Sequence, residues 1–262
     1  MATLHQEPPP ALPAHTETRT DEKKAQIERA TPNIGTGGKE LIPQALPVLN
    51  SAFRTDAVFT WMMAGLPTEK QRIDTLAYFL QTIVKASLMN DGVFYYDAEN
   101  WGSCAVLMPP GKKMDNPMTA VQAGLLGLLR RLGTKGVKHI REHGTAVKRA
   151  KKKAMGRSRP GRESEMSRYW YLFILGTHAD RQGQGLGGAL LEALKDKVRP
   201  TGRPLWLESS SEGSRRLYAR HGFEEVEEIT LGRGVVDADG LVKDGGEGIK
   251  TWGMIWRPVA KS

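Results

Sequence analysis

The residues best placed to do chemistry form one constellation late in the chain. The stretch RQGQGLGGAL, Arg181 to Leu190, sets four glycines in ten residues between an apolar run and a helical pattern. Beyond it RPLWLESS carries Glu208, and LYARHGF carries Tyr218. A phenol, with an unperturbed pKa of about 10, is a proton donor at neutral pH, and a carboxylate is a proton acceptor. A glycine turn ahead of a helix presents unpaired N–H groups and the positive helix end to a phosphate. These are the parts needed to hold a phosphate-bearing cosubstrate and to move protons beside it.

Two cofactors compete for the glycines. Taken literally, Gly183, Gly185 and Gly188 satisfy GxGxxG, and Glu208 follows Gly188 by twenty residues, as in a dinucleotide fingerprint. Against this, THADRQ separates the turn from its strand, and only 54 residues remain after Glu208. What precedes the motif reads as helices and a meander rather than as repeated βαβ units. A nucleotide-triphosphate loop is also disfavoured, because no GK[ST] follows the glycines. The other framing is Q/R-x-x-G-x-G/A, met by Gln182, Gly185 and Gly187.

The elements around the loop sharpen this choice. YWYLFILG, Tyr169 to Gly176, is a continuous apolar run, as expected of a central strand buried on both faces. Leu186, Leu190, Leu191, Leu194 and Val198 mark a helix of about four turns, ended by Pro200 and Gly202. With RPLWLESS as the next strand the unit is a crossover, which makes its two strands parallel. The loop thus follows a strand and opens a helix, and LYARHGF then supplies a Tyr on a short helix followed by x-x-x-G-F.

On these motifs the chain resembles the GCN5-related N-acetyltransferases (GNAT), and within them the puromycin acetyltransferase type and related fungal proteins. The similarity runs from about Leu41 to Pro258 and is strongest between Tyr169 and Phe223. The resemblance implies an α+β, α/β/α-like single domain: a mixed, mostly antiparallel sheet with a central splayed parallel strand pair, flanked by helices. It implies acetyl-coenzyme A (acetyl-CoA) as cosubstrate and no metal. Gln182, Gly183, Gln184, Gly185, Leu186, Gly187 and Gly188 would wrap its pyrophosphate. Leu175, Gly176 and Thr177, where the strands splay, would offer N–H groups to the acetyl carbonyl and the pantetheine arm.

Tyr218 matches the family's tyrosine, the donor to the leaving thiolate. Glu208 is the candidate base; the competing role is a structural salt bridge with Arg215 or Arg216. Tyr171 lines the substrate pocket or packs beside it. Ser211 stands seven positions before Tyr218, where many relatives carry Asn, and offers pantetheine fewer hydrogen bonds than an amide. The implied activity is acetyl transfer to a primary amine of a small molecule by direct attack in a ternary complex. Peptide or protein N-acetylation, and a fold that binds acetyl-CoA without catalysis, stay open.

The rest of the chain bounds these readings. With 262 residues, 39% hydrophobic and 26% charged, it has the composition of a globular protein with one sizeable core. Residues 1–38, rich in Pro, Thr, Glu and Lys, read as a flexible tail with a short helix near Asp21 to Arg29, and 39–262 as the acetyltransferase domain. Helical spacing recurs at Ile42, Leu46, Leu49 and Phe53, then at Ile73, Leu76, Leu80 and Val84. GVFYYD and SCAVLMPPG read as two strands, and a basic helical segment spans 117–162 with Val121, Leu125, Leu128 and Leu132 in register. GRSRPGRESE is a loop. FEEVEEITL and IKTWGMIWRP are two last strands.

Arg130 to Arg162 holds thirteen Lys or Arg against one acid, Glu142, a local charge of +12 in a chain of net charge +9. The remainder is therefore slightly acidic, which argues against a nucleic-acid reading of the whole body. AVKRAKKKAMGRSRPGR is first of all a solvated helix face, with a nuclear-localisation signal over 148–162 and a polyanion contact as alternatives. No aromatic residue interrupts it, so base stacking is unsupported. His139 and His143 share a helix spacing, but no third ligand accompanies them. The longest apolar runs fall short of the ~20 residues that span a bilayer, and no secretory signal is expected at the start. Cys104 is the single cysteine, in a predicted strand remote from the motif, which fits a reducing, cytoplasmic setting and direct transfer without an acetyl-cysteine.

Overall fold

The apolar stripe of Ile42, Leu46, Leu49 and Phe53 folds as helix α1 (Ile42–Phe53), and that of Leu76, Leu80 and Val84 as α3 (Glu69–Met89). The computed structural model describes residues 32–112, 116–156 and 168–258. The short helix expected near Asp21 to Arg29, the GRSRPGRESE loop beyond Gly156 and the end of the basic segment lie outside them. Between α1 and α3 sits α2 (Ala57–Met62), capped by Asp56, whose Oδ1 accepts from the amides of Val58 and Phe59 at 3.0 and 3.1 Å.

Among the described residues seven strands form one sheet. They are β1 (Ile34–Gly37), β2 (Val93–Asp97), β3 (Ser103–Met108), β4 (Trp170–Thr177), β5 (Leu205–Ser209), β6 (Glu224–Leu231) and β7 (Ile249–Trp256). Their order is β1-β2-β3-β4-β5-β7-β6. Each neighbouring pair is antiparallel except β4 and β5, joined in parallel through helix α6 (Leu186–Val198). The α+β class with one parallel pair therefore holds. Pairing starts earlier than the boundary at residue 38: Ile34 to Gly37 pair with Asp97 to Phe94. Four residues of sequence IGTG carry no periodicity long enough to stand out from a tail.

The helical segment after Pro117 is divided. Helix α4 (Pro117–Ala123) ends at Gly124, which has φ 117°, and α5 (Leu125–Met155) kinks at Gly133, with φ 64°. Both angles lie where glycine alone is unstrained. The break at Gly124 shifts the phase of the stripe, so Val121 is exposed while Leu128 and Leu132 are buried.

Side chains on the two faces of the sheet enter two cores. Leu190, Leu191 and Leu194 of α6 cover one face with Leu205 and Leu207 of β5; helices α1, α2, α3 and α5 cover the other, where Trp206 points. Because strand side chains alternate, Glu208 shares the face of Trp206 and looks toward α5. That parity decides the partners of Glu208.

Candidate active site

The parallel pair is short. Only Trp170 and Tyr171 of β4 pair with β5, opposite Leu205 and Trp206, although β4 continues to Thr177 and β5 to Ser209. Beyond Tyr171 the strands diverge and open a cleft of about 2150 Å³. The residues expected to hold the cofactor line this cleft, except Gln184, whose side chain turns back to Arg181 Nε at 3.0 Å and to the Asp180 carbonyl at 3.4 Å.

Gly176 has a packing duty as well. A Cβ there would lie 3.0 Å from Ala52 Cβ and Leu49 Cδ2 of α1, so the helix sits close because the side chain is missing. Gly176→Val is expected to destabilise the fold by about 1–3 kcal/mol, the usual cost of overpacking, as read from denaturant unfolding. Thr177 Oγ1 meets Ser103 Oγ at 3.0 Å, and its carbonyl accepts from Gln182 Nε2 at 3.4 Å. These contacts tie the strand end to the glycine loop.

In the loop, Gly183 and Gly185 have φ of 75° and 83°, with open space where a Cβ would stand. Backbone conformation, not crowding, calls for glycine there. Helix α6 begins at Gly185 without a side-chain cap. Among the described residues the N–H groups from Gly183 to Gly188 donate to no protein acceptor, and the first helical bond runs from Ala189 N to the Gly185 carbonyl at 3.0 Å. Six free amides at a positive helix end form a cradle shaped for an anion.

Helix α7 (Glu212–Arg220) brings Tyr218 to the same cleft. Its ring packs on Phe223, with centroids 5.8 Å apart, and is almost fully buried. The hydroxyl has no hydrogen-bond partner among the described residues, so it does not anchor the helix. Burial, and then the charge of Glu208, push its ionisation well above the ordinary phenol value of 10. Ser211 is the N-cap of α7: its Oγ accepts from Ser214 N at 3.1 Å, and Ser214 Oγ accepts from Ser211 N at 3.3 Å. The hydroxyl expected to serve pantetheine thus has a structural partner.

Glu208 is held on every side. Its Oε2 accepts from the Tyr171 hydroxyl at 2.5 Å, and its Oε1 from Trp206 Nε1 at 2.5 Å and from the Lys151 ammonium at 3.2 Å. Burial pushes the carboxyl up, but Lys151, Tyr171, Trp206 and the nearby His143 outweigh it, and the group lies below the usual carboxylate value of 4.5. The sequence pointed to Arg215 or Arg216 as salt-bridge partners. Instead Arg215 pairs with Glu212 and Glu225, and Arg216 with Glu212, because Glu208 faces α5 and not α7.

Lys151 is the feature that sequence reasoning missed. It lies in KRAKKK, a run expected to be solvated, yet only 8% of the residue is exposed and its ammonium stands 3.6 Å from the Tyr171 ring centroid. His143, two turns earlier on α5, also lines the cleft, whereas His139 is turned away, its Nδ1 2.8 Å from the Trp61 carbonyl and its ring stacked on Trp61. A signal was available: 143, 147 and 151 recur at four and fall on one helix face.

Residues 142–225 match the model of the acetyltransferase (GNAT) domain. That span contains the glycine loop, Glu208 and Tyr218. Those residues carry a GNAT acetyltransferase domain. An uncharacterized N-acetyltransferase of Schizosaccharomyces pombe is 25% identical over 190 residues, covering 72% of this chain and 73% of its own. Among solved structures, a Corynebacterium glutamicum protein described as histone acetyltransferase HPA2 and related acetyltransferase aligns with TM-score 0.53 at 19% identity, over 88% of this chain and 98% of that one. The Drosophila melanogaster polyamine N-acetyltransferase aligns with TM-score 0.52 at 13% identity, over 86% and 100%. At these identities the two structures establish the shared fold. The domain match and these relatives support an acetyl-CoA-dependent N-acetyltransferase.

Proposed function

We propose that this GNAT protein transfers the acetyl group of acetyl-CoA to a primary amine of a small molecule, by direct attack within a ternary complex. One observation carries the reading: the glycine loop with its free amides, the edge of β4 beyond Tyr171 and Tyr218, whose hydroxyl has no partner among the described residues, line one cleft. The pyrophosphate fits the amides, and the thioester fits the gap between the strands. Tyr218 supplies the proton to the departing sulfur.

The cleft also has an aromatic wall suited to a small acceptor. Phe53, Phe59 and Phe79, and separately Tyr171 and Phe173, line it, their neighbouring rings edge to face with centroids 5.2 to 5.9 Å apart. Such walls suit an amine on an apolar body. Cys104 supports direct transfer: it is fully buried in β3, and burial pushes its thiol up to about 12. A thiol so placed is inert as a nucleophile.

Acetyl-CoA at ~100 times its dissociation constant should stabilise the protein by about 2.7 kcal/mol, read as a thermal shift, and NAD should leave it unmoved. Acetyl release with a panel of small amines then completes the test. A shift with NAD alone overturns the reading; a shift with acetyl-CoA and no release with any amine leaves a binding protein in place of an enzyme.

A further inference from the structure

Transfer to an amine requires a proton acceptor, since an ammonium has no lone pair with which to attack. Among the described residues, three groups in the cleft have the chemistry. Two are committed to partners: Glu208 holds Tyr171, Trp206 and Lys151, and Asp56 holds the amides of Val58 and Phe59 on Oδ1 and the Ser210 hydroxyl on Oδ2 at 2.5 Å. The third is His143. It is half-buried and lines the cleft, and among the described residues neither ring nitrogen has a hydrogen-bond partner.

Resting on the acetyltransferase reading, we infer that His143, rather than Glu208, receives the proton of the acceptor's ammonium. Burial outweighs the pull of Glu208 and, with a smaller push from Lys151, holds the imidazole below its ordinary value of 6.5, so it is neutral and able to accept near pH 7. Low-polarity walls and the Lys151 ammonium also disfavour a second cation, which lowers the acceptor's own hold on its proton. The groups that act on His143 are Lys151 from its own helix and Glu208 from β5.

The proton balance is complete. The ammonium gives one proton to His143, and the freed lone pair attacks the thioester carbon. The C–N bond forms and the C–S bond breaks, while the sulfur takes the Tyr218 proton. The nitrogen's second proton restores Tyr218, and His143 passes the first to solvent.

The test compares two acceptors in His143→Gln: a strongly basic alkylamine, and an arylamine that is already neutral at the assay pH. The expected result is a fall of about 100-fold in kcat/KM with the alkylamine and only a few-fold with the arylamine, with the acetyl-CoA thermal shift retained. In His143→Ala, added imidazole should restore alkylamine turnover, a rescue that a packing role would not permit. Equal losses with both acceptors and no rescue overturn the role of His143, as does an unchanged rate. Absence of turnover in the unaltered protein with either amine instead overturns the acetyltransferase reading and this inference with it.

Discussion

Tyr218→Phe is expected to lower kcat by about 10²- to 10⁴-fold while acetyl-CoA binding and fold stability stay close to those of the unaltered protein. The expectation rests on what the hydroxyl does not do. Its ring packs on Phe223 and keeps that contact as phenylalanine, and among the described residues the oxygen holds no protein partner. Removing it breaks no hydrogen bond of the fold, so stability should move by no more than about 0.5 kcal/mol. On the proposed reading, the only thing removed is the proton that goes to the departing sulfur. Since burial and Glu208 push the phenol above its usual range, the donor remains protonated throughout neutral and mildly basic pH. Steady-state rates alongside a thermal melt check this: an unchanged kcat would assign the proton to water and return Tyr218 to packing.

The legibility of this site in the sequence follows from the range of the forces that build it. Helix α6 was readable to its ends, because Leu186 to Val198 repeat at helical spacing and Pro200 and Gly202 cannot continue it. The parallel pair was readable because a strand, a glycine turn, a helix and a strand leave few topologies open. Both rest on local chemistry. Lys151 and His143 were not read as site residues, for the opposite reason. Charge runs are ordinarily solvated, and nothing within KRAKKK says that one lysine of the run meets a carboxylate on β5. That meeting depends on three independent facts: the parity that puts Glu208 beside Trp206, the kink at Gly133 that sets the course of α5, and the helix repeat that aligns His143 with Lys151. The expected partners Arg215 and Arg216 were nearer in sequence but lie on a helix that β5 does not face with Glu208. Strand β1 escaped notice because its order comes from β2 and not from its own four residues.

The ion pair between Lys151 and Glu208 gives the largest expected effect on stability. Their side chains are 10% and 13% exposed, so the pair is shielded from water and from salt. Lys151→Met keeps most of the apolar stem but leaves a buried carboxylate without its cation, and should cost about 3–5 kcal/mol. That is a large part of a typical domain's stability of ~5–15 kcal/mol. Adding Glu208→Gln should recover much of the loss, because a neutral amide still accepts from Tyr171 and Trp206 while no charge remains to be compensated. The pH dependence separates this account from lost packing. In the unaltered protein the carboxyl of Glu208 is held below 4.5, so its stabilising contribution is full above that value and is lost as pH falls through the lower, folded-state value. Without Lys151 the folded-state value rises, since burial loses its main opponent. The variant therefore gains protons earlier on acidification, and its deficit relative to the unaltered protein should shrink as pH falls through the carboxylate range. Denaturant unfolding of both proteins at pH 7.5 and pH 5 measures that difference. A deficit that stays constant would mean that Lys151 acts through its stem on Tyr171 and not through its charge on Glu208.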